Sequence, residues 1–168
     1  MLECRQEDIN LLAAMLVLEI INVNPRDIEY YIKSKVLRQT VLNLGDSKPQ
    51  VRKTSHYCLL AFAKTYRSLD ELLAIYLELG FSSPEAQLRQ KTINSFQSMI
   101  ITDAKVINWN SLEFKKVFEA LLQKLKDGNA YVQRAAEQCL LTLSKLEPVT
   151  SFSKKLTPTH AGIYRLFC

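Results

Sequence analysis

Glycine is scarce in this sequence, with four residues in 168, and proline occurs only five times. So few glycines leave little room for turns with positive φ, which argues against an all-β fold built on many tight turns and favours helices. Long hydrophobic runs are missing too. The longest, Leu11 to Leu18, is far below the roughly 20 apolar residues of a membrane-spanning helix, so no membrane insertion is expected. Glu3, Glu7 and Asp8 precede that run, the wrong sign for a secretory leader. The four cysteines, at 4, 58, 139 and 168, include no two at zinc-knuckle spacing, so no metal site is expected. They read as reduced thiols of a cytosolic protein, with Cys58 and Cys139 as small core residues.

Catalytic constellations are also lacking. There are two histidines, His56 and His160, and neither has a nucleophile or metal ligand near it in sequence. No phosphate loop, dinucleotide fingerprint, H-E-x-x-H or G-x-S-x-G is present. Asp46 and Asp127 stand at short loops, where their carboxylates are expected to accept from backbone N–H groups of their own turns. The expectation is a protein with no catalytic residues and no cofactor, one that binds rather than turns over.

What is present is a helical pattern. Hydrophobic residues make up 48% and charged residues 23%, an ordinary globular balance for one domain. Apolar residues recur at i, i+3, i+4, i+7 nearly throughout, and no period-2 segment is long enough for a sheet. Ile9, Leu12, Leu16 and Ile20 form a first stripe. Asn24 and Pro25 break it and are placed to open a second helix. That helix carries Ile28, Ile32, Val36, Leu37, Thr40, Val41 and Leu44 and ends at Gly45. A third starts near Pro49 with Val51, Cys58, Leu59, Phe62 and Ala63 on one face. Leu69, Leu72, Leu73, Tyr76 and Leu77 mark a fourth, ending at Gly80. Leu88, Phe96, Met99 and Ile100 mark a fifth. Leu112, Val117, Leu121 and Leu125 mark a sixth, ending before Gly128. Val132, Ala135, Ala136, Cys139, Leu140 and Leu143 mark a seventh. Trp109 lies in a longer connection, Thr102 to Asn110, and is expected to cap the core there, the alternative being an exposed contact residue.

The helix junctions repeat. Gly-x-x-x-Pro occurs at 45–49 and again at 80–84, 35 residues apart, and the aliphatic helix starts at 51, 88 and 132 are 37 and 44 apart. Periods of this size signal stacked helical hairpins. Glycine is expected to supply a left-handed C-cap at each junction, and proline or a polar residue to open the next helix. The expected fold is all-α, an α-solenoid of about three and a half antiparallel hairpins over residues 1–148. A weakly structured basic tail is expected over residues 149–168.

The net charge of +5 is unevenly spread. The tail holds Lys154, Lys155 and Arg165 and no acid. The three short loops and the helix starts after them hold Asp46, Lys48, Arg52, Lys53, Glu85, Arg89, Lys91, Lys126, Asp127 and Arg134, a net +4. The connections at the opposite edge carry a net −1. Stacking like loops turns this into a basic ridge. Basic residues at helix starts oppose the helix dipole, so they are not expected to be there for the helix.

The segments Asp46-Ser-Lys-Pro-Gln-Val-Arg-Lys53 and Asp127-Gly-Asn-Ala-Tyr-Val-Gln-Arg-Ala-Ala136 resemble the D-x-x-x-x-V-R-x-A-A signature of HEAT repeats. Over about residues 25–148 the chain looks most like a TOG domain, and within those the crescerin group, which acts on ciliary and axonemal microtubules. Such domains are flat paddles, normally of six repeats, whose intra-repeat loops line one edge and bind tubulin. The resemblance implies a non-catalytic module in the cytoplasm at the cytoskeleton, or in the cilium or axoneme. Its partner would be tubulin or microtubules. Lys48, Arg52 and Lys53 would meet one acidic patch, Arg89 and Lys91 would extend the ridge, and Asn129, Gln133 and Arg134 would form its far end. The alternative is a general HEAT or armadillo adaptor that holds another protein or peptide on its helical face. Nucleic acid is a poorer fit, because only Tyr131 interleaves the basic residues.

Overall fold

Among the described residues, seven helices form where apolar residues recur every three or four positions. They are α1 (Leu2–Val23), α2 (Tyr30–Leu42), α3 (Pro49–Thr65), α4 (Asp70–Ile75), α5 (Ala86–Thr102), α6 (Leu112–Lys124) and α7 (Ala130–Ser144). The computed structural model describes residues 2–23, 30–65 and 69–146. Asn24, Pro25, His160 and the tail expected over 149–168 lie outside the described residues, as do the side chains of Ile9, Ile28 and Ile32. Among the described residues there is no strand. α2 tightens into a 3-10 turn at Asn43–Gly45, α4 runs on as a π-helical segment at Tyr76–Phe81, and a 3-10 turn at Ala104–Val106 precedes α6.

Local chemistry sets the helix starts. Pro49 opens α3, where a missing N–H costs nothing. Ser111 caps α6 by accepting from the Phe114 N–H at 3.1 Å. Asn129 caps α7 by accepting from the N–H groups of Tyr131 at 3.0 Å and Val132 at 3.4 Å.

The helices stack in two layers. α1, α3, α5 and α7 pack side by side in one, and α2, α4 and α6 in the other. Consecutive members of the two layers form the hairpins α2/α3, α4/α5 and α6/α7, with α1 as a half-hairpin before them. The core lies between the layers. Leu59, Phe96, Phe114, Phe118, Leu121 and Leu140 are completely buried there. Every residue assigned from spacing to the inner faces of the third, fifth and seventh helices is buried. Trp109 is half-buried and stands edge-on to Phe114, with ring centroids 4.9 Å apart, which is the capping contact expected of it. Polar ties join neighbours within each layer. The Arg38 guanidinium donates to the Glu78 carboxylate at 2.7 Å, and the Gln97 amide donates to the Thr142 hydroxyl at 2.9 Å and the Gln138 carbonyl at 3.2 Å.

Three expectations are corrected. The stripe Leu12, Leu16, Ile20 is the outer face of α1, with Leu12 64% exposed. Ala14, Val17 and Ile21 are the residues turned to the rest of the fold. Both stripes are apolar at helical spacing, and only the position of α3 decides between them. Leu112 is likewise exposed, because it occupies the first turn after the Ser111 cap, and Phe114 and Phe118 supply the α6 core.

The third correction concerns the glycines. None of Gly45, Gly80 and Gly128 has positive φ, so none is a left-handed cap. Two of them permit close approach instead. A Cβ at Gly45 would sit 3.1 Å from the Leu88 Cβ, and a Cβ at Gly80 would overlap the Thr92 side chain. Thr92 is completely buried and donates its hydroxyl to the Leu88 carbonyl at 2.8 Å, so it has little freedom to move. Gly80→Ala is therefore expected to cost about 2–3 kcal/mol through overpacking. Thr92→Ala in the same chain should recover part of the loss. Chemical denaturation of the two single variants and the double variant measures the coupling.

Candidate functional site

The three intra-repeat loops, residues 43–48, 82–85 and 125–129, meet along one edge of the stack. Side chains at equivalent positions shape them. The Arg52 guanidinium, at the start of α3, donates through Nη1 to the carbonyls of Asp46 and Ser47, both at 2.7 Å. Arg89, at the same place in α5, donates to the carbonyls of Ser83 at 2.9 Å and Pro84 at 2.8 Å. Gln133 in α7 donates to the Asp127 carbonyl at 2.6 Å. These side chains gather the loop carbonyls, so the basic residues at 52 and 89 do serve local structure. That corrects the expectation drawn from the helix dipole.

Consecutive loops are also joined to each other. The Gln87 amide donates to the carbonyls of Gly45 at 3.1 Å and Asp46 at 3.2 Å. Arg89 reaches the next loop, where Nε and Nη2 bind the two Asp127 carboxylate oxygens at 2.9 and 2.8 Å. Lys124 adds a second cation at 3.5 Å. Asp46 and Asp127 also accept from the N–H groups of Lys48 at 2.8 Å and Asn129 at 3.0 Å, the turn role expected of them.

Arg52, Lys53 and Lys91 surround two recesses on the α3–α5–α7 side of this edge. One, of about 330 Å³, lies between α3 and α5 and is lined by Arg52, Lys53, His56 and Lys91 with Asn94, Ser95 and Ser98. The other, also about 330 Å³, is lined by Arg52, Gln87, Gln90, Lys91, Asn129 and Tyr131. Arg52 and Lys91 stand between the two, and among the described residues no carboxylate lines either. The acids collect on the α2–α4 side of the same loops, where Asp46, Glu78 and Glu85 line a separate recess. The edge thus has a basic side and an acidic side.

The eight residues singled out from sequence separate into two groups here. Arg52, Lys53, Lys91 and Asn129 converge on the recesses. Lys48, Arg89, Gln133 and Arg134 line neither, and Arg89 and Gln133 are engaged in holding loops. Sequence reasoning missed His56, Asn94, Ser95, Ser98, Gln87 and Gln90 as lining residues. The signal was there in register: 52, 53 and 56 share one face of α3, and 91, 94, 95 and 98 share one face of α5.

His56 is half-buried. Its Nδ1 stands 3.3 Å from the Ser95 hydroxyl, which meets the Tyr76 hydroxyl at 2.9 Å. Burial lowers the imidazole pKa, so the ring is neutral at pH 7. Burial also raises the Tyr76 phenol and pushes the Cys58 thiol up to about 11, leaving both protonated. Tyr131, 68% exposed, is the aromatic presented at the edge. Among the described residues no three His, Cys, Asp or Glu side chains cluster as metal ligands, and no helix is long and apolar enough to cross a membrane.

Paired layers of short antiparallel hairpins with like loops aligned define an α-solenoid of HEAT type. No protein-family model and no curated protein matches the sequence. A solved chain described under "TOG-tubulin binding specificity promotes microtubule dynamics and mitotic spindle formation" shares the fold, with a TM-score of 0.71 at 13% sequence identity. The match covers 94% of this chain and 60% of that one. The chain has a TOG-like helical solenoid fold and spans about three fifths of the structure it matches.

The Arg89–Asp127 pair dominates the electrostatics of the edge. Its side chains are 14% and 6% exposed. Hydrogen bonds from the Arg89 guanidinium hold the Asp127 carboxyl below the usual carboxylate range, against the opposing effect of burial, and the Asn129 N–H and the Lys124 charge assist. The folded-state pKa is therefore below the about 3.9 of an unfolded aspartate. The resulting stabilisation is fully present above about pH 5 and is lost as pH falls through the folded value. Asp127→Asn should cost about 2–3 kcal/mol at neutral pH. Thermal unfolding from neutral pH down to about pH 2.5 should show the two proteins converging at the acid end.

Proposed function

We propose that this chain is a non-catalytic TOG-like module that binds tubulin or microtubules through the basic side of its loop edge. The observation that carries this reading is the pair of carboxylate-free recesses sharing Arg52 and Lys91, set on a fold that resembles a chain described for TOG–tubulin binding. Lys53, Lys91 and Arg134 are the charges offered to an acidic surface, with Lys48 at one end and Asn129 and Tyr131 at the other. Arg52 lies at the junction of the recesses. Arg89 and Gln133 act from behind by fixing the loops. No cofactor is needed. The setting is the cytoskeleton, and the resemblance to the crescerin group points to the cilium or axoneme.

Each exposed charge contributes about 0.2–1 kcal/mol. Affinity is then the sum of several contacts, and it weakens as salt shortens the screening length. The test is co-sedimentation with microtubules and co-elution with free tubulin. Binding is expected to fall steeply from about 50 to about 300 mM salt. The triple change Lys53→Glu, Lys91→Glu, Arg134→Glu should abolish it with helicity unchanged, since those side chains are not part of the loop lattice. Binding that survives the triple change would instead favour the general adaptor that holds another protein or peptide on its helical face.

A further inference from the structure

Arg52, Lys53 and Lys91 line the recess between α3 and α5, and among the described residues none of the three has a carboxylate partner. Arg52 and Lys91 are partly buried. Cations held partly out of water without a counter-ion are costly, and an entering anion removes that cost. The segments outside the described residues, 24–29, 66–68 and 147–168, hold five basic and three acidic residues, so they bring no surplus of carboxylates to the recess. Its volume of about 330 Å³ is at the low end of clefts that hold small ligands, about 300–1,000 Å³.

Hydrogen bonding behind the recess adds a neutral donor. Ser95 and Tyr76 are completely buried, and their hydroxyls meet at 2.9 Å. The Tyr76 phenol has no other partner among the described residues, so it donates to Ser95. Ser95 then donates its own proton to His56 Nδ1, 3.3 Å away. The reverse order would leave a buried phenol proton without an acceptor. With Nδ1 accepting, the imidazole carries its proton on Nε2, and burial keeps the ring neutral. His56 and the Asn94 amide both line the recess.

We propose that this recess binds a phosphomonoester, with Lys53 and the His56 Nε2–H of α3 and Lys91 and Asn94 of α5 donating to its oxygens. Charge selects phosphate over carboxylate. A carboxylate offsets one of the three cations. A phosphomonoester carries about −1.5 to −2 at neutral pH and presents three acceptor oxygens. Donors that converge from two helices suit a tetrahedral group better than a planar one. Arg52 commits Nη1 to the carbonyls of Asp46 and Ser47, so it acts here as a charge rather than a bidentate fork. This site stands whether or not the edge meets tubulin. A bound phosphate would, however, neutralise Lys53 and Lys91, two of the charges the edge offers to an acidic surface.

The experiment is a titration of the full chain with inorganic phosphate and with O-phosphoserine, read from the ring signals of His56 by NMR. The chain has two histidines, so His56→Gln assigns the signal. Both ligands should shift it saturably, with Kd on the order of 1 mM. Acetate at matched ionic strength should bind at least about 10-fold more weakly. Lys53→Ala with Lys91→Ala should weaken phosphate binding by about 10-fold or more while circular dichroism shows unchanged helicity. Ring nitrogen shifts should place the proton on Nε2. Tighter binding of O-phosphoserine than of phosphate assigns the ligand to a phosphorylated side chain, and the reverse assigns it to a free phosphate; either supports the site. No saturation by either ligand up to about 50 mM, equal binding of acetate, or indifference to the double substitution overturns the proposal. A ring protonated on Nδ1 overturns it as well. The titration contains no tubulin, so failure of the tubulin reading leaves its outcome unchanged.

Discussion

Arg89 spans two consecutive loops, and the loop edge depends on that span. One nitrogen of its guanidinium gathers the carbonyls of the loop before α5, and the other two close on Asp127 in the loop before α7. Without the carboxylate, a mostly buried cation would be left uncompensated. Without the cation, the third loop would lose the group that orients it. The pair also decides which charges are left to act outward. Because Arg89 and Asp127 neutralise each other, the field of the edge comes from Lys53, Lys91 and the lysines beside the loops.

That separation of roles is the main refinement of the functional reading. A basic helix start has one appearance in sequence whether its side chain clamps a carbonyl or faces a partner. Arg52 and Arg89 occupy equivalent positions, and both clamp. Only Arg89 finds an acid in the next loop, since Ser83 stands where Arg52 would need one. The acids that remain, Asp46, Glu78 and Glu85, are swept to the α2–α4 side. The opposite side keeps a carboxylate-free surface without a large net charge.

Much of the architecture was legible because its signals are local. The i, i+3, i+4 pattern placed α3, α5 and α7 and their buried faces, and the spacing of the loops identified the hairpins. Gly80 shows where local reasoning stops. A glycine after a run of leucines reads as a left-handed cap, yet it lies in a π-helical segment and is small because Thr92 crosses behind it. α1 shows the same limit. Both of its stripes are apolar at helical spacing, and the choice between them belongs to the helix packed alongside.

The sequence by itself determined the helical class, the three hairpins, the common edge of their loops and the excess of basic residues there. All of these follow from patterns within a few turns of chain. The tertiary structure alone decided which arginines are spent on the loops and which cations meet at the recesses. It also decided why two glycines are required and which face of α1 packs against α3. Those depend on atoms 12 to 43 residues apart being brought within a hydrogen bond or a van der Waals contact, and a repeat specifies that neighbours stack without specifying which side chains they find.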